Sequence, residues 1–293
     1  MAPANKALLQ IHLCVVIWGF TAILGKLITL PAFALVWWRM LIVVAALALL
    51  PAFWRGVRNL DTRTLATFGG IGVVVALHWV TFYGAIKLAN ASVAATCMGV
   101  APILVSVVEP FVTGRRFDWR ELALGTAAVP GVALVVGGTP DGMRLGIAVG
   151  ILSSLLVAIF GALNKRYVER GDPLAVTGIE LAAGTAFLTL LALAFGGEAT
   201  RLPLPDARDT ALLLLLALAC TLFPFALSLV ALRQLSAFSA QLAISLEPVY
   251  AVFLAMLLLG EQRELGLQFY LGLAIILGSV LAHVALRRQS GPR

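Results

Sequence analysis

A chain of 293 residues that is 61% hydrophobic and only 12% charged is not composed like a water-soluble domain, in which about 25% of residues carry charge. The net charge of +7 sits almost wholly in short gaps between apolar runs, which argues for membrane topology and against a basic nucleic-acid-binding domain. The mean hydropathy of +1.01 agrees, and the runs reach the roughly 20 residues that cross a hydrocarbon layer.

Backbone groups in lipid must be hydrogen-bonded within their own segment, so runs of this length predict helices; barrel strands would need only about 10 alternating residues. The predicted spans are 7–28, 33–54, 64–86, 91–112, 119–137, 144–164, 174–195, 207–230, 236–259 and 265–286. The first is read as a retained helix, because MAPANKALLQIH leads into a full-length run without a small-residue cleavage site. Pro31 marks the first turn and Asp172-Pro173 the entry to the seventh span. The longest polar gap, 196–206, leaves no room for a soluble catalytic domain. Pro102, Pro130, Pro224 and Pro248 fall within spans, where each removes an amide donor and invites a bend. Gly142, Gly146 and Gly150 form a small-residue stripe suited to close helix approach.

The fourth and ninth spans repeat one another. Pro102 precedes Gly114 by twelve residues, as Pro248 precedes Gly260, and Ala85, Ala91 and Ala94 match Ala231, Ala237 and Ala240 at the same offset of 146. The chain is therefore read as an all-α polytopic membrane protein of ten transmembrane helices, formed by two five-helix repeats, 1–140 and 141–293. With the N-terminus in the cytoplasm, fourteen Lys and Arg residues fall on the cytoplasmic side and five on the other, the positive-inside pattern. Both termini are then cytoplasmic, in an inner or plasma membrane. A five-span unit is odd, so its second copy enters the membrane inverted. The basic RRFDWRE after Gly114 and the EQRE after Gly260 fit that inversion.

An ordered set of motifs makes the chain resemble the drug/metabolite transporter superfamily, in its ten-helix EamA-type class: Trp18-Gly19 with Lys26, Pro31 with Arg39, Tyr83-Gly84-Ala85, and the twice-used Pro-x11-Gly pattern completed by Glu261. Gly114-Arg115 departs from the Gly-Glu usual at that point of the family. The resemblance implies an inverted five-plus-five repeat and carriage of small polar metabolites, mostly outward, with amino acids among them. The site is expected between the halves, lined by spans one, three, four, six, eight and nine. Two rival readings stay open: a membrane interaction or sensory protein without transport, and a translocator of lipid-linked substrates.

Charges inside spans are costly and mark the residues to watch. Arg39 is about 9 Å into its span; it either snorkels or anchors an anionic substrate group or a helix contact, and its planar fork suits a carboxylate. Glu247, directly before Pro248, is too deep to snorkel; it is either a neutral packed carboxyl or a cavity residue that binds a cationic substrate group, changes protonation during transport or pairs with a basic group. Glu180 is assigned with Pro102 and Pro248 to helix bends or gating. Glu109 is expected to pair with Arg115 or Arg116. His78, Trp79, Phe82 and Tyr83 share one arc of the third span, and Trp18 is a candidate cap of the same cavity. The candidate cavity set is thus Trp18, Arg39, His78, Trp79, Tyr83, Gln241 and Glu247, with Asn164 secondary. Cys14, Cys97 and Cys220 read as small hydrophobes. No nucleotide-cradling loop, HExxH motif or nucleophile elbow occurs, so neither enzymatic chemistry, nor a cofactor, nor a metal is expected. The expected partners are the bilayer and a small-molecule substrate, with protons as the candidate coupling ion.

Overall fold

The apolar runs fold as helices because each peptide group must find its partner along its own chain. In the computed structural model, which describes residues 3–126, 129–244 and 246–289, every long element is helical: α1 (Pro3–Leu27), α2 (Ala32–Ala48), α3 (Pro51–Arg58), α4 (Thr62–Leu88), α5 (Ala91–Met98), α6 (Ala101–Thr113), α7 (Trp119–Thr126), α8 (Val129–Gly137), α9 (Arg144–Tyr167), α10 (Pro173–Phe195), α11 (Ala207–Leu214), α12 (Phe223–Leu232), α13 (Ala237–Ile244), α14 (Glu247–Leu259) and α15 (Leu267–Gln289). A π-helical stretch, Leu215–Leu222, joins α11 to α12. Among the described residues six helical segments are long and apolar enough to cross a membrane, or seven if α2 and α3 count as one bent span; α14 and Leu267–Ser279 are shorter apolar helices. The chain is a polytopic helical membrane protein.

Short polar residues start the helices as their chemistry requires. Asp61 Oδ1 accepts the Thr64 amide at 2.9 Å to open α4, Asn90 Oδ1 accepts that of Val93 at 2.9 Å to open α5, and Asp206 Oδ1 accepts that of Asp209 at 2.7 Å to open α11. Asp172 caps α10 through Leu174 and Ala175, with Pro173 in the first turn.

The two repeat-related spans are broken in the same way. Pro102 and Pro248 lack the N–H that would bond the carbonyls of Met98 and Ile244, the last residues of α5 and α13. The residues before the new helices match, Val100 at φ −82° and ψ −18° and Leu246 at φ −81° and ψ −13°. Both new helices run 13 residues, and both end on a left-handed glycine, Gly114 at φ 76° and Gly260 at φ 72°. Pro102 and Pro248 thus lie in the first turn of the helices that follow the two breaks; Pro224 follows the π-helical stretch directly, without a break.

The second span is also shorter than the sequence suggested. It stops at Ala48, because Pro51 has no N–H for the carbonyl of Leu47; α3 then turns away by 90° with only Phe53 buried. The glycine stripe is two-membered: Gly146 packs on Ala89 and Gly150 on Cys97, but Gly142 lies in a 3-10 turn with nothing within 4 Å of its Cβ direction.

α4 lies at the centre, packed against α9 and α10, and α1 runs along α12 and α14. The tightest crossing is α4 on α10. The Cβ position of Gly72 falls on the backbone carbonyl of Glu180, and that of Gly184 lies 2.9 Å from the carbonyl oxygen of Gly72. Across α8 and α15, a methyl on Gly131 would meet the Gly272 carbonyl oxygen at 2.7 Å.

Candidate functional site

Between α1, α4, α9, α12 and the broken pairs lies a cavity of about 120 Å³, many times the roughly 10–15 Å³ that a single water needs by such a measure. Its wall draws on α1 (Trp18), α4 (His78, Trp79), α5 (Met98), α9 (Asn164), α12 (Phe225) and α13 and α14 (Glu247), with α2 contributing Arg39. Trp18, Arg39, His78, Trp79 and Glu247 are thus brought to one space. Tyr83 stands behind that wall, fully buried, while the side chain of Gln241 lies outside the described residues.

Arg39 is 3% exposed and held on three sides. Its Nε donates to Thr221 Oγ1 at 2.6 Å, its Nη1 donates to Tyr83 Oη at 2.8 Å, and its guanidinium carbon lies 3.8 Å from the centre of the Trp79 ring. A guanidinium over an indole face is a cation–π contact, favourable where water is scarce. Thr221 belongs to the π-helical stretch, and its hydroxyl hydrogen goes to Leu216 O at 2.6 Å. That leaves its oxygen free to accept from Arg39. Among the described residues no carboxylate pairs with Arg39 within 4.0 Å, so this cation is fixed in place without being neutralised.

Glu247 is 8% exposed and opens α14 at the same cavity. The site therefore presents one cationic and one acidic side chain, from distant parts of the sequence, that do not pair with each other. Aromatic surfaces fill the space between polar groups, with Trp79 and Phe225 edge to face at 6.1 Å and His78 and Phe160 at 5.3 Å. His78 is tied to α9, its Nδ1 2.9 Å from Ser153 O and 2.8 Å from Ser153 Oγ. Such a surface offers an acceptor for ammonium, a donor fork for carboxylate and walls for an apolar side chain.

Glu180 is completely buried on α10, in contact with the cavity residue Asn164, whose Nδ2 donates to Glu180 Oε2 at 3.4 Å. Pro102 and Pro248 sit at the two helix breaks, Pro248 beside Glu247. Glu109 pairs with Arg115 at 3.6 Å. All three cysteines are free and buried.

Thr221, Ser153, Phe160 and Phe225 were not singled out from the sequence. The one available signal was Pro224, whose missing amide leaves the preceding turn of helix without a normal bonding partner. A second group closes one end of the bundle; of it, sequence reasoning had noted Glu261 as a motif residue but none of its contacts. Asp209, 1% exposed, accepts the Thr29 amide at 3.0 Å and its hydroxyl at 2.7 Å. Glu261 accepts the amides of Ala91 at 3.0 Å and Ser92 at 2.8 Å, Glu264 accepts from Asn90 at 3.0 Å, and Lys87 donates to Ile28 O at 2.5 Å. At the opposite end the ties run from cations to carbonyls, Lys165 to Leu232 and Arg233 to Gly171, each at 2.8 Å, and Arg166 to Val112. Among the described residues no group of three or more His, Cys, Asp or Glu could hold a metal ion.

The family model of the EamA-like transporter family matches residues 5–137 and again residues 144–284. A solved structure, titled only as a crystal structure of a protein, is similar in fold, with a TM-score of 0.69 at 17% identity over 98% of this chain and 99% of its own. No curated protein matches the sequence.

Proposed function

Because the chain belongs to the EamA-like transporter family, whose members are transporters and not enzymes, we propose that it is a secondary carrier that exports or exchanges small amphipathic metabolites, amino acids among them, by alternating access. One observation carries this reading: Arg39 from the first matched segment and Glu247 from the second face a single aromatic-walled cavity without pairing with each other. A zwitterion satisfies both charges at once, and burying it there without them would cost several kcal/mol per ion.

The carrier is further proposed to cross the bilayer ten times, as two inverted five-helix units, 1–140 and 141–293, with both termini in the cytoplasm of a plasma membrane. The double match of the family model and the matched breaks before α6 and α14 support the duplication. In that orientation the carboxylate ties of Asp209, Glu261 and Glu264 seal the outer end, while the cavity reaches from Trp79 towards Asn164 and Leu232 on the cytoplasmic side. This is the arrangement of an inward-directed state, and the outer ties must break for release outside.

The test is counterflow of labelled amino acids in proteoliposomes, with and without a pH gradient. Saturable counterflow that falls in Glu247→Gln and Arg39→Ala supports the carrier. No saturable flux would favour an interaction or sensory protein, and flux confined to lipid-linked substrates would favour a lipid translocator.

A further inference from the structure

Beneath the cavity wall, two buried oxygens have no hydrogen-bond partner: Oε1 of Glu180 and Oδ1 of Asn164. They belong to the same two side chains that Asn164 Nδ2 and Glu180 Oε2 already join at 3.4 Å. Glu180 is 0% exposed and Asn164 is 2% exposed. An ionised carboxylate would leave two acceptors unsatisfied in one place, each at a cost of about 1–3 kcal/mol. A single hydrogen on Oε1 removes both defects. Oε1–H then donates to Asn164 Oδ1 while Asn164 Nδ2–H donates to Oε2, and acid and amide close a two-bond ring.

We propose that the Glu180–Asn164 pair is a proton-binding site of the carrier, loaded through the substrate cavity that Asn164 lines. The assignment rests on the carrier reading and adds the coupling ion to it. Loading takes a proton from cavity water onto Glu180 Oε1, and unloading returns it to water. Unloading breaks the Oε1–H···Oδ1 bond, frees Asn164 Oδ1 while Nδ2–H still donates to Oε2, and leaves a negative charge on α10 beside its tight crossing with α4. Gly72 of α4 rests on the Glu180 backbone carbonyl at that crossing, so the charge left by unloading falls where α4 and α10 are packed most tightly.

The other groups around α10 leave Glu180 without a competing counter-ion. α4 brings His78, which is bound to Ser153; α2 brings Arg39, which is bound to Thr221 and Tyr83. α3 brings Arg55 and Arg58, both solvent-exposed, and α12 brings Ser228, whose hydroxyl donates to Phe225 O. The 3-10 turn Glu198–Thr200 adds Glu198, which pairs with Arg201 at the surface. Among the described residues no Lys, Arg or His pairs with Glu180 within 4.0 Å.

Infrared spectroscopy of the purified protein tests the site without any transport. A carbonyl-stretch component of a neutral carboxylic acid should be present at neutral pH, be lost in Glu180→Gln, and move to the frequency of an unbonded acid in Asn164→Ala. Spectra identical in wild type and Glu180→Gln would overturn the site. In proteoliposomes a pH gradient should drive accumulation by the wild type, and Glu180→Gln should lose all response to the gradient. A gradient response that survives in Glu180→Gln would overturn the coupling, as would wild-type exchange that ignores the gradient. If the acid band behaves as stated but no saturable flux occurs under any gradient, the carrier reading itself falls, and the coupling with it.

Discussion

The carboxylate of Glu261 takes both hydrogens that Ser92 can offer, the amide at 2.8 Å and the hydroxyl at 2.7 Å, across 169 residues of sequence. With the Ala91 amide on its other oxygen, and Asn90 serving Val93, Glu261 completes the capping of α5. These amides are the ones a helix start leaves without partners, and a buried anion there also meets the positive end of the helix. Glu261 is only 2% exposed, so little water competes.

Glu261→Ala should therefore lower stability by about 3 kcal/mol, since hydrogen bonds to a charged group are worth about 1.5–3 kcal/mol each and some will be replaced by water. Thermal unfolding of detergent-purified protein measures the loss. In the carrier reading the same change also frees the outer end, so a cysteine placed at Ala89 should react faster with an impermeant reagent from outside. An unchanged melting curve would show that the clamp contributes nothing.

Arg39→Lys should damage transport although the charge is kept. A lysine ammonium cannot bond Thr221 and Tyr83 from one plane while stacking on Trp79. The expected loss is about tenfold or more in flux per unit of zwitterionic substrate, the equivalent of about 1.4 kcal/mol. An amine analogue without a carboxylate should be affected much less. Concentration-dependent counterflow of the two substrates separates the cases, and equal losses for both would point to a role in folding alone.

Gly72→Ala should destabilise by about 3 kcal/mol, the upper end for inserting a methyl into a packed interior, because the group it meets is the rigid backbone of Glu180 and not a side-chain tip. Gly70→Ala is the control on the same helix. Nothing lies within 4 Å of its Cβ direction, and alanine is the better helix former by about 1 kcal/mol. Parallel melting curves should separate the two variants in opposite directions.

How much of this was readable in advance follows from the range of each interaction. Lipid imposes its demand on every segment locally, so the helices and the polar start at Asp172 were legible from composition and short motifs, while the caps Asp61 and Asn90 were not singled out. The matched breaks at Pro102 and Pro248 were legible as a repeated motif, although their form, a new helix each time, depended on the missing amide meeting Met98 and Ile244. Arg39, Glu180 and Glu247 stood out because charge in an apolar run is rare. Their partners did not: Thr221 looks like any threonine in an apolar helix, and its role depends on the π-helical turn that frees its oxygen. The ties from Glu261 to Ser92 and from Asp209 to Thr29 join residues more than 160 positions apart, and no local pattern encodes them.

Gly161 gives the most direct test of the claim that the cavity is the transport path. It lines the cavity, and nothing lies within 4 Å of its Cβ direction. Gly161→Leu can therefore fill the space without displacing the backbone. Counterflow in proteoliposomes, measured beside thermal unfolding, is predicted to be abolished in a variant that melts as the wild type does. Wild-type flux through a folded Gly161→Leu would contradict the account.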